Sequence, residues 1–324
     1  LTYSDSKGED SQFTDAGSLR LNLKLNDFIR ISSISSLSKT KLTHAYDGDW
    51  ANDSYWLSEH SFDPIYEGWS YSFYDKNERI RNNLTQEIRF FDSDENVFGL
   101  YYKNLMEKDN AKGYLFGGLG DEADSKYDFW ALAYYIALNL KLSNDIKLNV
   151  NLRLEENEYI YEGRTTDNYY HTTLPTVKLS KRDQMNGYKF ALLVEKSDVL
   201  NYYFSYARGY KPGGVNQQPL LNNLNREFEP EFLDNFEFGL KIIKNKYAFQ
   251  STLFYGFRRN QQVSISSQQD LGNPNSFYFY TGNSGKGTLY GSETDFQFNI
   301  TSSCIMYSSV GFLNTYVEKF NYLT

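Results

Sequence analysis

Five side chains in two short runs have the chemistry to hold an anion. Arg208, Tyr210 and Lys211 lie in Arg208-Gly209-Tyr210-Lys211-Pro212-Gly213-Gly214, and Arg258 and Arg259 begin Arg258-Arg259-Asn260-Gln261-Gln262. Guanidinium groups bind phosphate and carboxylate through charge-assisted, two-pronged hydrogen bonds. A tyrosine hydroxyl adds a neutral donor. Both runs stand where an alternating segment gives way to polar chain, so both read as strand ends opening into loops. Pro212 sets φ there, and Gly213-Gly214 permits a tight path. Two readings of the first run stand side by side: cations facing a ligand funnel, or a strand corner with Tyr210 packed at its rim. The second run is either a phosphate-binding contact or a solvated strand end.

Other chemistry is sparse. His44, His60 and His171 are scattered through polar segments without metal-binding spacing, and Cys304 is the single cysteine, so no metal site and no internal disulfide is expected. Asp121-Glu122-Ala123-Asp124 offers carboxylates but matches no calcium loop, and reads as a solvated loop. Gly113 to Gly120 lacks the Gly-Lys-Ser/Thr of a phosphate loop. No nucleophile elbow or Ser/His/Asp set stands out. Neither an enzyme nor a cofactor site is expected. A net charge of -8 without a basic stripe excludes a nucleic-acid partner.

The elements that must position these residues are strands. Leu19, Leu21, Leu23 and Leu25 alternate with Arg20, Asn22 and Lys24. Leu148, Val150, Leu152 and Leu154 alternate with Lys147, Asn149, Asn151, Arg153 and Glu155. Phe236, Phe238, Leu240 and Ile242 alternate with Glu237, Gly239 and Lys241. This is period two, not 3.6. The pattern predicts about thirteen strands, near 17–27, 28–38, 67–76, 81–93, 96–107, 129–141, 145–157, 184–196, 198–209, 231–243, 246–258, 287–300 and 303–315. Tight turns join alternate pairs at Asn26-Asp27, Ser93-Asp94-Glu95, Ser143-Asn144, Ser197-Asp198, Lys244-Asn245 and Ser302-Ser303. Between those hairpins lie long polar connections at 108–128, 158–183, 210–230 and 259–286, with 39–80 longer still.

Length and polarity point to a membrane barrel. Several runs reach the roughly 9–11 residues that a tilted spanning strand needs. Short turns at one end and long loops at the other form the outer-membrane pattern. The mean hydropathy of -0.62 fits, because a barrel's lumen face is polar. With 29 Tyr and 24 Phe against 6 Pro, the chain is rich in rings that suit a pleated surface and a membrane–water boundary. No run of roughly eighteen apolar residues encodes a spanning helix. A lysine or arginine facing lipid costs about 2–4 kcal/mol at the midplane. Lys147, Arg153 and Glu155 should therefore face the lumen, and Leu148, Val150, Leu152 and Leu154 the lipid.

Several blocks resemble the C-terminal barrel of TonB-dependent receptors. Gln86-Glu87-Ile88-Arg89-Phe90 resembles the family's Gln-Glu-Leu-Arg strand, and Val97-Phe98-Gly99-Leu100-Tyr101-Tyr102 its returning strand. The most specific block is Asn201-Tyr202-Tyr203-Phe204-Ser205-Tyr206-Ala207-Arg208-Gly209-Tyr210-Lys211-Pro212-Gly213-Gly214-Val215-Asn216. Phe228-Glu229-Pro230-Glu231 with Asn235-Phe236-Glu237-Phe238-Gly239-Leu240-Lys241 resembles the Pro-Glu … Glu-Leu-Gly-Lys block. Asn283, Gly287 and Gly291-Ser292-Glu293 resemble the start of a late strand. The blocks keep the family's order over 80–315.

The resemblance implies an all-β, antiparallel transmembrane β-barrel, of which residues 1–324 would supply about thirteen of the roughly 22 strands, without the plug domain or the TonB box. It implies an outer-membrane receptor of a Gram-negative bacterium that takes up a scarce ligand: a ferric siderophore, cobalamin or an oligosaccharide. Expected partners are outer-membrane lipid and lipopolysaccharide, a small extracellular ligand, and a TonB complex whose contact region lies outside this sequence. Arg208, Tyr210, Lys211, Arg258 and Arg259 are the candidate ligand-binding residues. A passive porin or adhesin barrel and a soluble β-sandwich are the alternatives.

Overall fold

The computed structural model describes residues 3–115, 118–168, 172–217, 221–268, 272 and 277–318. Twelve strands follow one another in a single antiparallel sheet. They are β1 (Glu9–Lys24), β2 (Arg30–Asp47), β3 (Tyr74–Phe91), β4 (Val97–Leu115), β5 (Gly118–Lys141), β6 (Ile146–Asp167), β8 (Val177–Glu195), β9 (Leu200–Lys211), β12 (Glu231–Ile243), β13 (Tyr247–Arg259), β16 (Lys286–Thr301) and β17 (Cys304–Val317). The two-residue β7 (Thr172–Thr173) adds to β6. Two small ladders stand apart: β10 (Gly214–Val215) with β11 (Glu227–Phe228), and β14 (Gln262–Gln268) with β15 (Phe277–Asn283). β1 and β17 are the edges and are exposed along their length. Among the described residues no helix is long and apolar enough to cross a membrane.

The tight turns close as their residue types dictate. Asn26 Oδ1 accepts from the backbone N–H groups of Phe28 (2.8 Å) and Ile29 (2.9 Å). Asp92 does the same for Asp94 and Asn96, both at 2.9 Å. Short polar side chains that bond their own backbone two to four residues on make such turns cheap.

The far end departs from expectation in three places. The strand expected at 67–76 is absent. Residues 48–73 instead hold α1 (Asp53–His60) and α2 (Pro64–Glu67), capped by Asn52 and Asp63, before β3 starts at Tyr74. Much of 108–128 and 158–183, read as loops, is strand: β4, β5, β6 and β8 run on together well past the length a bilayer needs. Glu107 to Tyr114 is polar on both faces, so no hydrophobic alternation marks it, yet its backbone groups pair all the same. Within 259–286 the chain forms the β14–β15 hairpin.

Register places the two faces. Leu148, Val150, Leu152 and Leu154 stand opposite Leu192, Phe190, Tyr188 and Asn186, and Leu192, Phe190 and Tyr188 oppose Phe204, Tyr206 and Arg208. This apolar face is the exposed one: Leu154 is 64% exposed. On the opposite face the Glu155 side chain is only 9% exposed. Apolar outside and charged inside inverts a soluble sheet and is the arrangement that lipid demands.

Candidate functional site

A chain of charged and phenolic groups crosses the inner face of β3 to β9. Arg89 Nε donates to Tyr135 Oη (3.1 Å) and Arg89 Nη2 to Glu87 (2.7 Å), while Tyr135 Oη donates back to Glu87. Arg153 lies over the rings of Tyr101 (5.4 Å) and Tyr135 (5.9 Å) and donates to Glu155 (2.6 Å) and Tyr210 (2.9 Å). Tyr210 Oη closes the set on Glu155 at 2.9 Å. Tyr210 reaches these partners because Gly187, the cross-strand partner of Arg153, has no side chain. A Cβ there would stand 3.1 Å from the Tyr210 ring. Of the two readings of the 208–214 run, Tyr210 thus takes the packed one.

Arg208 and Arg259 converge on one carboxylate. Arg208 grips Asp234 through Nε (2.6 Å) and Nη2 (2.9 Å), and Arg259 Nη2 donates to the same Asp234 at 2.9 Å. Tyr206 also donates to Asp234 (3.2 Å) and meets Tyr188 at 3.0 Å. Arg208 shares a register line with Tyr188 on the outward face, so this cluster stands at the upper edge of the apolar band. Arg258 lies on the inner face, 3.7 Å from Glu231, and Lys211 is exposed opposite Glu231.

Beyond the bilayer-length part of the strands lies the mouth of the inner face. Residues 212–217 and 221–230, with β14 and β15, cover one side of it. Asn216 binds the two together, donating to Asn225 O and Thr281 O and accepting from Thr281 N, each at 2.8 Å. Tyr161 Oη donates to Gln217 O at 2.9 Å, and Tyr159, Tyr161 and Val215 form a small buried core. Burial, with Asp183 accepting its proton, pushes the Tyr159 hydroxyl up. Burial and the Glu107 charge push Tyr127 up to about 12. Both phenols therefore keep their protons, and Tyr159 donates its own in the hydrogen bond to Asp183.

A cavity of about 630 Å³ opens beside this roof. Asp109, one of its lining residues, is held by Arg79 and Asn77. Asp121 also lines it, where burial and then the like charges of Asp167 and Asp75 push its carboxyl up. The acidic run 121–124 is thus strand and not loop, although Asp121 and Asp124 are exposed as a solvated segment would be. It lies on β5, where alternation sends Asp121 and Ala123 to one face and Glu122 and Asp124 to the other. His44 lines the cavity, His60 packs against Trp56 in α1, and His171 lies outside the described residues. Sequence reading placed Arg153 and Glu155 on the lumen face without naming them as site residues, and passed over Asp75. For the first two the signal was present, as charges confined to one parity of a spanning strand. Asp75 carried none.

The family described as TonB dependent receptor-like, beta-barrel, matches residues 1–324. A search of the curated proteins finds no match. Among solved structures, the chain is similar to the ferric yersiniabactin uptake receptor FyuA of Yersinia pestis, at TM-score 0.73 and 17% identity over 94% of this chain and 43% of that one. It is also similar to the siderophore receptor PiuA of Acinetobacter baumannii, at TM-score 0.59 and 15% identity over 97% and 48%. The ferric citrate transporter FecA gives TM-score 0.60 and 13% identity over 95% and 43%. The chain thus spans less than half the length of each of these three.

Proposed function

Because this chain belongs to the TonB-dependent receptor β-barrel family, we propose that it forms the ligand-facing wall of an outer-membrane receptor that takes up a scarce small ligand, a metal chelate of the siderophore kind. The observation that carries this reading is the pairing of an apolar outer band with a polar inner face that ends in a roofed mouth. A soluble sandwich has no use for Leu154 outside and Glu155 inside. A polar inner wall is general to transmembrane barrels, so uptake, not the wall, separates a receptor from a porin or an adhesin.

Capture takes place at the mouth, and the polar chain from Arg89 to Tyr210 lines the route below it. Energy comes from TonB, as the resemblance to siderophore receptors suggests. Of the five anion-binding candidates, Lys211 and Arg258 stand on the mouth side and serve as ligand contacts. Arg208 and Arg259 stand on the outer face, where lipopolysaccharide phosphate is the partner chemistry. Tyr210 fixes the wall. The role is binding and passage, without bond-making chemistry.

The test is uptake of an iron-labelled chelate by cells with and without the gene, under iron limitation. Saturable uptake that collapses with a protonophore supports the reading. Uptake that continues without a proton gradient would make the barrel a passive porin.

A further inference from the structure

The mouth carries an unbalanced pair of carboxylates. Tyr46, Asp75, Gly113, Asp121 and Asp167 stand opposite one another in register across β2, β3, β4, β5 and β6. Gly113 matters by what it lacks. A Cβ there would lie 3.2 Å from Asp75 Oδ1, so the glycine keeps open the space between Asp75 and Asp121. The cations that line the same cavity are already engaged: Arg79 with Asp109, Lys112 with Glu122 at 3.3 Å and Lys76 with Glu78 at 3.0 Å. Among the described residues neither Asp75 nor Asp121 has an ion-pair partner.

A second observation points the same way. Thr165 lines this cavity, is only 6% exposed, and its hydroxyl has no hydrogen-bond partner among the described residues. A buried hydroxyl left without a partner costs about 1–3 kcal/mol, and a ligand donor would remove that cost. Tyr46, Tyr161 and Tyr278 line the remaining wall, and the Tyr46 hydroxyl shares a hydrogen bond with Asp75.

We propose that this pocket binds an organic cation, a ligand group bearing an ammonium or guanidinium, held between Asp75 and Asp121 with the Thr165 hydroxyl as a further acceptor. A bare divalent ion fits less well. Three carboxylates close enough to share one ion occur among the described residues only at Asp5, Asp47 and Asp49. An ammonium presents three separate donors, and a cavity of about 630 Å³ has the size of a small-molecule site. The inference rests on reading the mouth as the ligand's route and adds the charge class of the ligand group that it admits.

The experiment is calorimetric titration of the detergent-purified protein with spermidine, with citrate and calcium chloride as separate probes, at about 0.15 M salt to screen diffuse attraction. Saturable spermidine binding is expected, weakened about tenfold by Asp75→Asn and by Asp121→Asn, and severalfold by Thr165→Val, since each removes one acceptor. Asp27→Asn, the same charge change at a distant turn, should leave it unaltered. Far-ultraviolet circular dichroism of each variant checks the sheet. The proposal is overturned if spermidine fails to bind, if Asp27→Asn weakens it as much as the pocket variants, or if citrate or calcium binds in a way that those variants abolish while spermidine does not. Loss of gradient-driven uptake with spermidine binding intact would sink the receptor reading alone. Intact uptake without spermidine binding would sink only the cation assignment.

Discussion

Leu154 and Glu156 share one face of β6, two residues apart, and the exposed apolar band ends between them. Leu154 lies in the exposed apolar band, whereas Glu156 is engaged by Arg182, which also stacks over Trp130 at 5.5 Å. A strand rises about 3.3 Å per residue. At a tilt of about 45°, an apolar band about 25 Å tall takes roughly ten residues. Counted from the turn before Ile146, ten residues end at this switch. Tyr188, Tyr206 and Trp130 stand at or just beside the same level, as interfacial rings do.

Val150, near the middle of that band, should not tolerate charge. Val150→Arg is expected to cost about 2–4 kcal/mol in urea unfolding from lipid vesicles. Glu156→Gln, just above the boundary, should cost less than about 1 kcal/mol. Equal costs for the two would contradict the assigned depth.

Gly187 and Tyr210 should behave as one unit. Gly187→Val fills the space that the Tyr210 ring occupies, forcing the hydroxyl from Arg153 and Glu155 at a cost of about 1–3 kcal/mol. Tyr210→Ala removes the same contacts. The double variant should therefore fall well short of the sum, and additive losses in a double-mutant cycle would show the two are independent.

Asp234 holds two arginines together. Asp234→Asn should destabilise by about 1–3 kcal/mol, since it leaves half-buried guanidinium groups without their counter-charge. Arg208→Met and Arg259→Met combined with Asp234→Leu should lie closer to the parent, because no charge is left stranded. A triple variant no more stable than Asp234→Asn would argue against this account.

Asp47 and Asp49 tie residues 4–6 to the long loop after β2. Burial raises the Asp47 carboxyl, but hydrogen bonds from Ser4, Asp49 and the backbone of Ser6 and Trp50 outweigh it and hold the group well below the usual range. Burial, then the bond to Asp47, raises Asp49 to about 6. A lowered carboxyl stabilises above its ordinary value of 3.8 and loses that contribution as pH falls. A raised one stabilises at low pH and loses its contribution as pH rises through about 6. The tether should therefore be firmest between about pH 4 and 6. Hydrogen exchange at residues 4–6 and 49–51, corrected for intrinsic rates, should be faster at pH 7.5 than at pH 5. Asp49→Asn should flatten that dependence. An unchanged pH profile in Asp49→Asn would rule out the shared proton.

Much of the architecture was legible because its causes are local. Alternation from Leu19 to Leu25 and from Leu148 to Leu154 assigns strand, face and membrane at once, since a strand's side chains can point only two ways. Asn26 and Asp92 mark turns by bonding their own backbone. The lumen side of Arg153 and Glu155 followed from the cost of charge in hydrocarbon.

What only tertiary structure decided lies where that local cause is missing or where the partner is distant in sequence. From Glu107 to Tyr114 both faces are polar, and from Glu156 to Asp167 the consecutive Tyr159, Ile160 and Tyr161 break the alternation, so the strands continue without a pattern to announce them. Long-range ladder pairing, not propensity, holds them. Arg208 and Arg259 read as ligand-seeking cations until β9, β12 and β13 come together and place Asp234 between them. Asp75 and Asp121 belong to segments with no mutual signal. Register across three strands, and a glycine at the middle position, make them neighbours. Ionic chemistry depends on such distances, and in a sheet those distances are fixed by pairing between segments far apart in the chain.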